Sequence, residues 1–565
     1  MIPFKKRALM IRDSDYSQQT IPGFDWPLGS VLDEQNRWVK LSQVIPWEEM
    51  AEVYHQSLGS ANEGRPAKDA RLVIGAVIIK HKLGLSDRET VSQIQENPYL
   101  QYFVGLSGYQ KDAPFSPTLL VEIRKRMGQS VFDAYHQQLI DRLELIQSTP
   151  SQREDKDDDD SGPDSPVYGR QGGDSPISAC LDSESLDETP LEEKPSESQC
   201  MHSGKLILDA TVADQQIAYP TDLNLLNRSR ELTEQIIDLL YPHTLLNHKP
   251  RTYRQQARRS YLQIAKQRRP SGRSRRRGIK AQLQYVRRNL KSIDRLLDHF
   301  PYGRKLPLPN WLLHRLWVIR VVHEQQWEMY RSRSRRCDDR IVSLSQPYVR
   351  PIIRGKVNKP VEFGSKLSVS LTAKGLSHVD HMSYDNFNEG GDLPTQVERY
   401  RARYGYYPEV VLADPIYGTR ENRGYLKGLG IRFGGKPLGR PKKETPENRD
   451  ELKAQRMQRW LDYRGRNPIE GKFGQGKLGY GLSRIRSKRK DTSVSWVNSV
   501  FLVMNLLILL KVYEDYFCLQ YTRAMRLVLE GFEQIKRRLR FSQIINAYKL
   551  SPRHILEAEG GQPTF

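Results

Sequence analysis

Two aspartates in this sequence stand where a hard metal ion could be held. Asp209 and Asp414 each follow a short, largely apolar run, at residues 205–208 and 409–413. An apolar run in a buried strand pins the backbone, so the first polar residue beyond it lies at the sheet edge, where ligands usually bind. Mg²⁺ prefers carboxylate oxygens as ligands. Because a lone aspartate after a strand is more often a turn or capping residue, a metal site needs a third partner.

The third acid, Glu470, lies in a charged segment in which a tyrosine, an arginine, the glutamate and a lysine follow the spacing Y-x2-R-x3-E-x6-K. On a helix, with about 100° per residue, this spacing would place an acid and two cations within about 60° of one face, where the cations could bind phosphates. Pro468 leaves a second interpretation open, in which a helix begins at the proline and Glu470 lies near its positive end. An ordinary salt-bridged surface helix would have similar residues. The four residues of this spacing are Tyr463, Arg466, Glu470 and Lys477.

These motifs together resemble the signature of bacterial DDE-type insertion-sequence transposases, which have a ribonuclease-H-like catalytic core. The sequence LDAT around Asp209, with YPTD at 219–222, is similar to the segment around the family's first acid. ADPIYG at 413–418 is similar to the second, and IEGKFG at 469–474 to the third. The helical segment at 46–147 is similar to the N-terminal domain of the same transposases. The resemblance therefore covers most of the chain.

The resemblance implies that Asp209, Asp414 and Glu470 are the catalytic residues and hold two Mg²⁺ ions about 4 Å apart, for which Mn²⁺ can substitute. The expected reactions are cleavage at the ends of the element and joining of the freed 3′-hydroxyls to target DNA. Double-stranded DNA with terminal inverted repeats is the expected partner. A homodimer is also expected, since two element ends must be brought together. The implied contacts to DNA phosphates come from Tyr463, Arg466 and Lys477.

The charge of the chain supports a polyanionic partner. Its 89 Lys and Arg against 67 Asp and Glu give a net charge of +22, which favours DNA, RNA or an anionic membrane surface. Residues 251–290 contain 14 basic and no acidic side chains, with tyrosines between them. A solvated helix face normally mixes both signs, so phosphate contact explains this segment better. The predicted contacts are Arg273, Arg275, Arg276 and Arg277.

The strand and helix patterns around these residues predict an α+β or α/β fold. Residues 366–371 alternate as a half-buried strand does, and 393–404 have a helical pattern. Residues 151–200 hold 15 acidic against 4 basic side chains and predict a disordered linker. The predicted organisation is an N-terminal arm (1–45), a helical DNA-binding domain (46–150), the acidic linker (151–203), a ribonuclease-H-like mixed-sheet catalytic domain (204–225 and 345–515), a basic helical insertion within it (226–344) and a C-terminal helical segment (516–565).

Turn and cap residues predict several helices in the N-terminal domain. A buried helix is expected over 68–83, and Ser86 has the spacing of a capping box that begins the next one. Asn97 and Pro98 should end that helix. Ser116 is predicted to cap a further helix that has Pro117 at its first position. Either a helix-turn-helix-like module or a purely structural bundle fits this pattern.

Export and membrane signals are weak in this sequence. The first residues lack the apolar core of a signal peptide, and the longest apolar run, at 499–510, is shorter than the about 20 residues that a bilayer needs. We therefore expect a buried core helix there, no membrane partner, and a cytoplasmic, nucleoid-associated protein. The four cysteines are scattered without a CxxC pair, which fits a reduced compartment.

Two rival functions remain: an inactive or nuclease-only relative, and a non-enzymatic basic nucleic-acid-binding protein. The three acids discriminate between the second rival and an enzyme. Carboxylates in an anion-binding groove repel phosphate unless metal ions neutralise them, so a simple binder has no need for them.

Overall fold

The computed structural model describes residues 24, 31–58, 67–148, 202–353, 361–440 and 443–539. The predicted acidic linker, apart from its last two positions, lies outside the described residues. So do most of the predicted N-terminal arm and the final positions 540–565 of the C-terminal segment.

The described part of the N-terminal region is helical, as predicted. The most buried helix, α3, begins after Asp69, whose carboxylate accepts two backbone N–H groups, and it ends at Gly84 in the left-handed conformation. The predicted capping box between Ser86 and Glu89 is confirmed at the start of α4. The helices are α1 (Arg37–Val44), α2 (Trp47–Ser57), α3 (Ala70–Leu83), α4 (Asp87–Glu96), α5 (Pro98–Phe103), α6 (Leu119–Arg126) and α7 (Gln129–Ser148).

One predicted helix start in this region is wrong. Helix α6 begins after Thr118 rather than Ser116, and Thr118 makes no side-chain capping bond. Ser116 and Pro117 instead form a turn in which the Ser116 hydroxyl bonds to the Thr118 hydroxyl at 2.9 Å. Thr118 is the residue that precedes the helix, so Ser116 is not its cap.

A mixed β-sheet forms the centre of the second region. Its order is β2-β3-β1-β5-β6, and β4 also pairs with β3. Strands β1 to β4 are joined by antiparallel pairs, whereas β5 is parallel to β1 and β6 is parallel to β5. The strands are β1 (Lys205–Asp214), β2 (Arg350–Ile353), β3 (Val361–Thr372), β4 (Ser377–Ser383), β5 (Val410–Ala413) and β6 (Arg432–Phe433). This mixed α/β architecture is consistent with a ribonuclease-H-like domain.

The first strand is longer than its apolar run indicates. We expected β1 to end before Asp209, but it continues to Asp214. Residues 211–213 are a β-branched pair and an alanine, and they pair with 365–367 of β3. Asp209 is therefore a mid-strand residue, and the expectation that it follows a strand end is wrong. Asp414, by contrast, directly follows β5 as predicted.

Helices cover both faces of the sheet. One face, which includes Ile207 and Leu412, packs against α14 (Arg449–Gly479) and α15 (Lys490–Leu539). The other face, which includes Leu208 and Val411, packs against α12 (Leu393–Tyr404) and α13 (Arg420–Gly428). The helix predicted at 393–404 is confirmed by α12. Alternation along each strand assigns every side chain of the sheet to one of these two layers.

A separate helical unit stands between β1 and β2. It has its own apolar core. Its first helix begins at Asp222 and runs through position 226, where we expected the insertion to begin. The helices are α8 (Asp222–Leu240), α9 (Arg254–Ala265), α10 (Gly272–Asp298) and α11 (Asn310–Ser332).

Helix α15 links the N-terminal helices to the sheet. Val500 and Phe501 pack in the core beneath the sheet, whereas Leu502 and Leu506 pack among the N-terminal helices. The predicted buried core helix at 499–510 is confirmed. By length and composition α15 could also cross a membrane, but 83% of its most apolar window is buried inside the protein. Its burial is that of a core helix shared by two regions.

Candidate active site

Asp209, within β1, lies beside Asp414, which directly follows the adjacent parallel strand β5. The register pairs Leu208 with Ala413, and each aspartate is the next residue along the chain. Ile207 and Leu412, two residues earlier, pack in the core that contains α14. Because side chains alternate along a strand, both carboxylates face the α14 layer.

Helix α14 brings the third acid to this face of the sheet. It runs without interruption from Arg449 to Gly479 with Pro468 inside it, so the interpretation in which a helix begins at the proline is wrong. Proline removes one backbone hydrogen bond, but burial of Ile469 and Phe473 against the sheet retains the helix through tertiary packing. The continuous helix places the signature residues on one face, as their spacing predicts.

Two features that the sequence analysis missed attach α14 to the sheet. A Cβ at Gly465 would lie 2.9 Å from Leu412 Cδ1, so any larger residue would require the Leu412 side chain or the helix to shift. One turn earlier, the buried Asp462 accepts two hydrogen bonds from Arg432, at 2.6 and 2.8 Å. A glycine among helix-forming residues, and an acid on the apolar side of the helix, were the signals for them.

Arg466 joins two of the predicted catalytic acids. Its Nη1 donates to Asp414 Oδ1, and its Nη2 donates to Glu470 Oε1 at 3.2 Å. The Arg466 side chain is 15% exposed, whereas those of Asp414 and Glu470 are 47% and 60% exposed. Two solvent-facing carboxylates, distant in sequence, therefore share one largely buried cation.

Asp209 lies beside Asp414 at the same face of the sheet. Its side chain is half-buried, and its Oδ1 accepts the Ala210 N–H at 2.7 Å. Within the described ranges, no three His, Cys, Asp or Glu side chains converge closely enough to form a metal site. The donor set nevertheless fits a divalent ion chemically: all three are hard carboxylates, Asp209 and Asp414 face the helix that carries Glu470, and Asp414 and Glu470 already share the charge of Arg466.

The other two residues of the signature border this group. Tyr463 is 65% exposed, and its ring centroid lies 6.0 Å from the Arg466 guanidinium carbon. Lys477, two turns beyond Glu470, is partly exposed. A further cation on α14, Lys472, is buried and donates to the Gly375 carbonyl at 3.2 Å. Burial lowers the pKa of Lys472 to about 8.

The basic segment of the insertion divides into exposed and tethered arginines. Arg276 stacks over the Tyr330 ring at 4.1 Å and donates to the Tyr330 carbonyl at 3.0 Å. Arg288 similarly stacks over Tyr253 at 4.5 Å. Three side chains at the start of α10 are exposed and form no ion pair with any other described residue: Arg273, Arg275 and Arg277.

Two models of known protein families match this chain, one in its N-terminal helices and one in the region of the acids. Residues 27–126 match a transposase domain (DUF772), which covers α1 to α6. Residues 411–507 match a transposase DDE domain, which contains Asp414, Arg466 and Glu470. These two matches support a DDE-type insertion-sequence transposase. Asp209 lies outside both matched ranges, so its assignment rests on its place beside Asp414 in the sheet and on local motif likeness.

A curated relative of this chain comes from Rhizobium meliloti. It is the uncharacterized protein ORF8 in the nfe locus, 36% identical over 101 residues, which is 18% of this chain and 48% of that protein. The match thus spans about half the length of the relative. No solved structure matches the transposase significantly.

Proposed function

We propose that this transposase cuts DNA at the ends of an insertion sequence and joins the freed 3′-hydroxyls to target DNA. The observation that carries the proposal is the sharing of Arg466 by Asp414 and Glu470. It shows that a strand end and a helix far apart in sequence bring two carboxylates within reach of one cation. A DNA-binding protein without catalytic activity has no need for such a pair.

Asp209, Asp414 and Glu470 would hold two divalent ions, Mg²⁺ or Mn²⁺. When bound, such ions activate a water or 3′-hydroxyl for attack and stabilise the leaving oxygen. The contribution of the chain is rigidity, because β1, β5 and α14 pack into one core and hold the three carboxylates in a fixed relation.

The cations around the acids would hold the DNA backbone at the site. Arg466 can bind a phosphate through two parallel N–H groups, since its guanidinium is planar. Tyr463 and Lys477 lie on the same face of α14 and would contact neighbouring phosphates. The three carboxylates and these donors together suit an in-line displacement at phosphorus.

Affinity for DNA would come largely from the insertion. The exposed arginines at the start of α10 would neutralise phosphates and release counterions, without reading sequence. We assign recognition of the terminal repeats to the N-terminal helices, and we expect a homodimer, because two ends must be cut and joined together. The expected compartment is the cytoplasm, with the protein associated with the nucleoid.

The test uses the purified full-length chain and DNA that carries the inverted repeats flanking its gene. We expect Mg²⁺-dependent breaks at the repeat ends and their joining to a target plasmid, with binding but no breaks in EDTA. Equal cleavage in EDTA would overturn the metal-dependent mechanism. Binding without cleavage in both Mg²⁺ and Mn²⁺ would favour an inactive or non-enzymatic protein, and cleavage without joining would favour a nuclease.

A further inference from the structure

The position of Arg466 differs from that expected of a side chain whose sole role is to bind a DNA phosphate. Such a cation would be expected to project into solvent, as Arg273, Arg275 and Arg277 do. The Arg466 side chain is instead 15% exposed, and its guanidinium contacts one oxygen of Asp414 and one of Glu470. It stands where a cation shared by these two acids would bind.

The attachment of α14 to the sheet does not depend on this contact. Ile469 and Phe473 are buried against the strands, the Arg432–Asp462 pair ties the preceding turn, and Gly465 permits the close approach. Arg466 therefore has an electrostatic role: two neighbouring carboxylates repel one another, and the guanidinium offsets that repulsion.

We infer that Arg466 is a resident counter-ion of the Asp414–Glu470 pair, which a divalent ion must displace before it can bind both acids. This inference rests on the proposed function. Displacement frees the guanidinium for a DNA phosphate, so metal loading and phosphate binding are coupled. By linkage, each then favours the other to the same degree. Arg466 is thus a positioning residue that keeps the acid pair neutralised until metal and DNA arrive together.

The inference predicts the sign of a metal-binding change. Arg466→Gln removes the competing charge, so the full-length protein without DNA should bind Mn²⁺ about three- to tenfold more tightly. The Mn²⁺ affinity of Arg466→Lys should lie between those of Arg466→Gln and the unmodified protein, because an ammonium group cannot bridge both acids as the planar guanidinium does. A purely structural role predicts the opposite, since a loosened helix would weaken Mn²⁺ binding.

The matched control is Arg464→Gln. Arg464 lies on the same helix, is exposed, and stacks over Trp460 at 4.6 Å. This variant loses the same charge two residues away and should bind Mn²⁺ as the unmodified protein does.

The experiment measures Mn²⁺ binding by titration calorimetry and by the electron paramagnetic resonance signal of free Mn²⁺. Tighter binding by Arg466→Gln that disappears in Arg466→Gln/Glu470→Gln supports the inference. Unchanged or weaker binding by Arg466→Gln, where Glu470→Gln alone still abolishes binding, overturns it and leaves the proposed function intact. Mn²⁺ binding that is insensitive to Glu470→Gln overturns the inference, and binding that is insensitive to Asp414→Asn as well overturns both, because the acids would then hold no metal.

Discussion

The contact between α14 and β5 makes Gly465 sensitive to a single methyl group. A Cβ there would lie 2.9 Å from Leu412 Cδ1, whereas carbon atoms pack at about 3.5–4.0 Å. Alanine gains about 1 kcal/mol in helix propensity over glycine, but overpacking costs about 1–3 kcal/mol. We therefore expect Gly465→Ala to lower the free energy of unfolding by between zero and about 2 kcal/mol.

Gly474→Ala is the matched control for this substitution. Gly474 lies on the same helix, and no atom lies within 4 Å of a Cβ built there, so alanine should stabilise by about 1 kcal/mol. The two variants should differ by about 1–3 kcal/mol, which corresponds to about 2–4 °C per kcal/mol for a unit of 150–250 residues. Thermal unfolding followed by circular dichroism measures this difference.

The same substitution should affect cleavage more than stability. Leu412 stands two residues before Asp414, so a shift of α14 against β5 changes the distance between Asp414 and Glu470. Misplacement by about 1 Å can cost about a hundredfold in rate, and we expect Gly465→Ala to cut at least about tenfold more slowly than Gly474→Ala. A Gly465→Ala protein as stable and as active as the control would refute the close-approach argument.

Three further predictions concern charge. Burial lowers the pKa of Lys472 to about 8 from 10.5, so the folded state disfavours its proton. Relative to Lys472→Met, the free energy of unfolding should rise by up to about 3 kcal/mol as pH increases from 8 to 10.5. Parallel pH profiles of the two proteins would contradict this. Burial alone would raise the pKa of Asp87, but Arg124 and Lys80 lower it to about 2; Asp87→Asn should destabilise the N-terminal helices by about 2–4 kcal/mol in urea unfolding, with exposed Glu122→Gln unchanged as the control. Replacing three exposed arginines by glutamine should make the dependence of log affinity for DNA on log salt about 2.7 less steep, whereas Arg276→Gln alone should not, and a slope that stays the same would exclude the phosphate role of Arg273, Arg275 and Arg277.

Local patterns were enough to predict most of the elements around the site. The apolar run before Asp414 predicted β5, and the spacing from Tyr463 to Lys477 predicted one helical face. The helix at 393–404 and the capping box at Ser86 followed from periodicity and cap chemistry. Each of these signals lies within a few residues, where backbone preferences decide the outcome.

Long-range packing decided what the sequence left open. Asp209 lies within its strand because β3 offers partners as far as Asp214, which no local run reveals. Pro468 stays inside α14 because burial of Ile469 and its neighbours outweighs one lost hydrogen bond. The placement of Arg466 between two acids depends on a strand and a helix that meet only in the folded chain.

We propose that Asp209, Asp414 and Glu470 together perform metal-dependent cleavage of DNA. The most direct measurement compares the unmodified transposase with Asp414→Asn on DNA that carries its terminal repeats, in Mg²⁺, and follows binding and strand cleavage in the same samples. We expect that Asp414→Asn binds this DNA but does not cut it, because the amide loses the charge that the ion requires. Equal cutting by Asp414→Asn would contradict the assignment of the site.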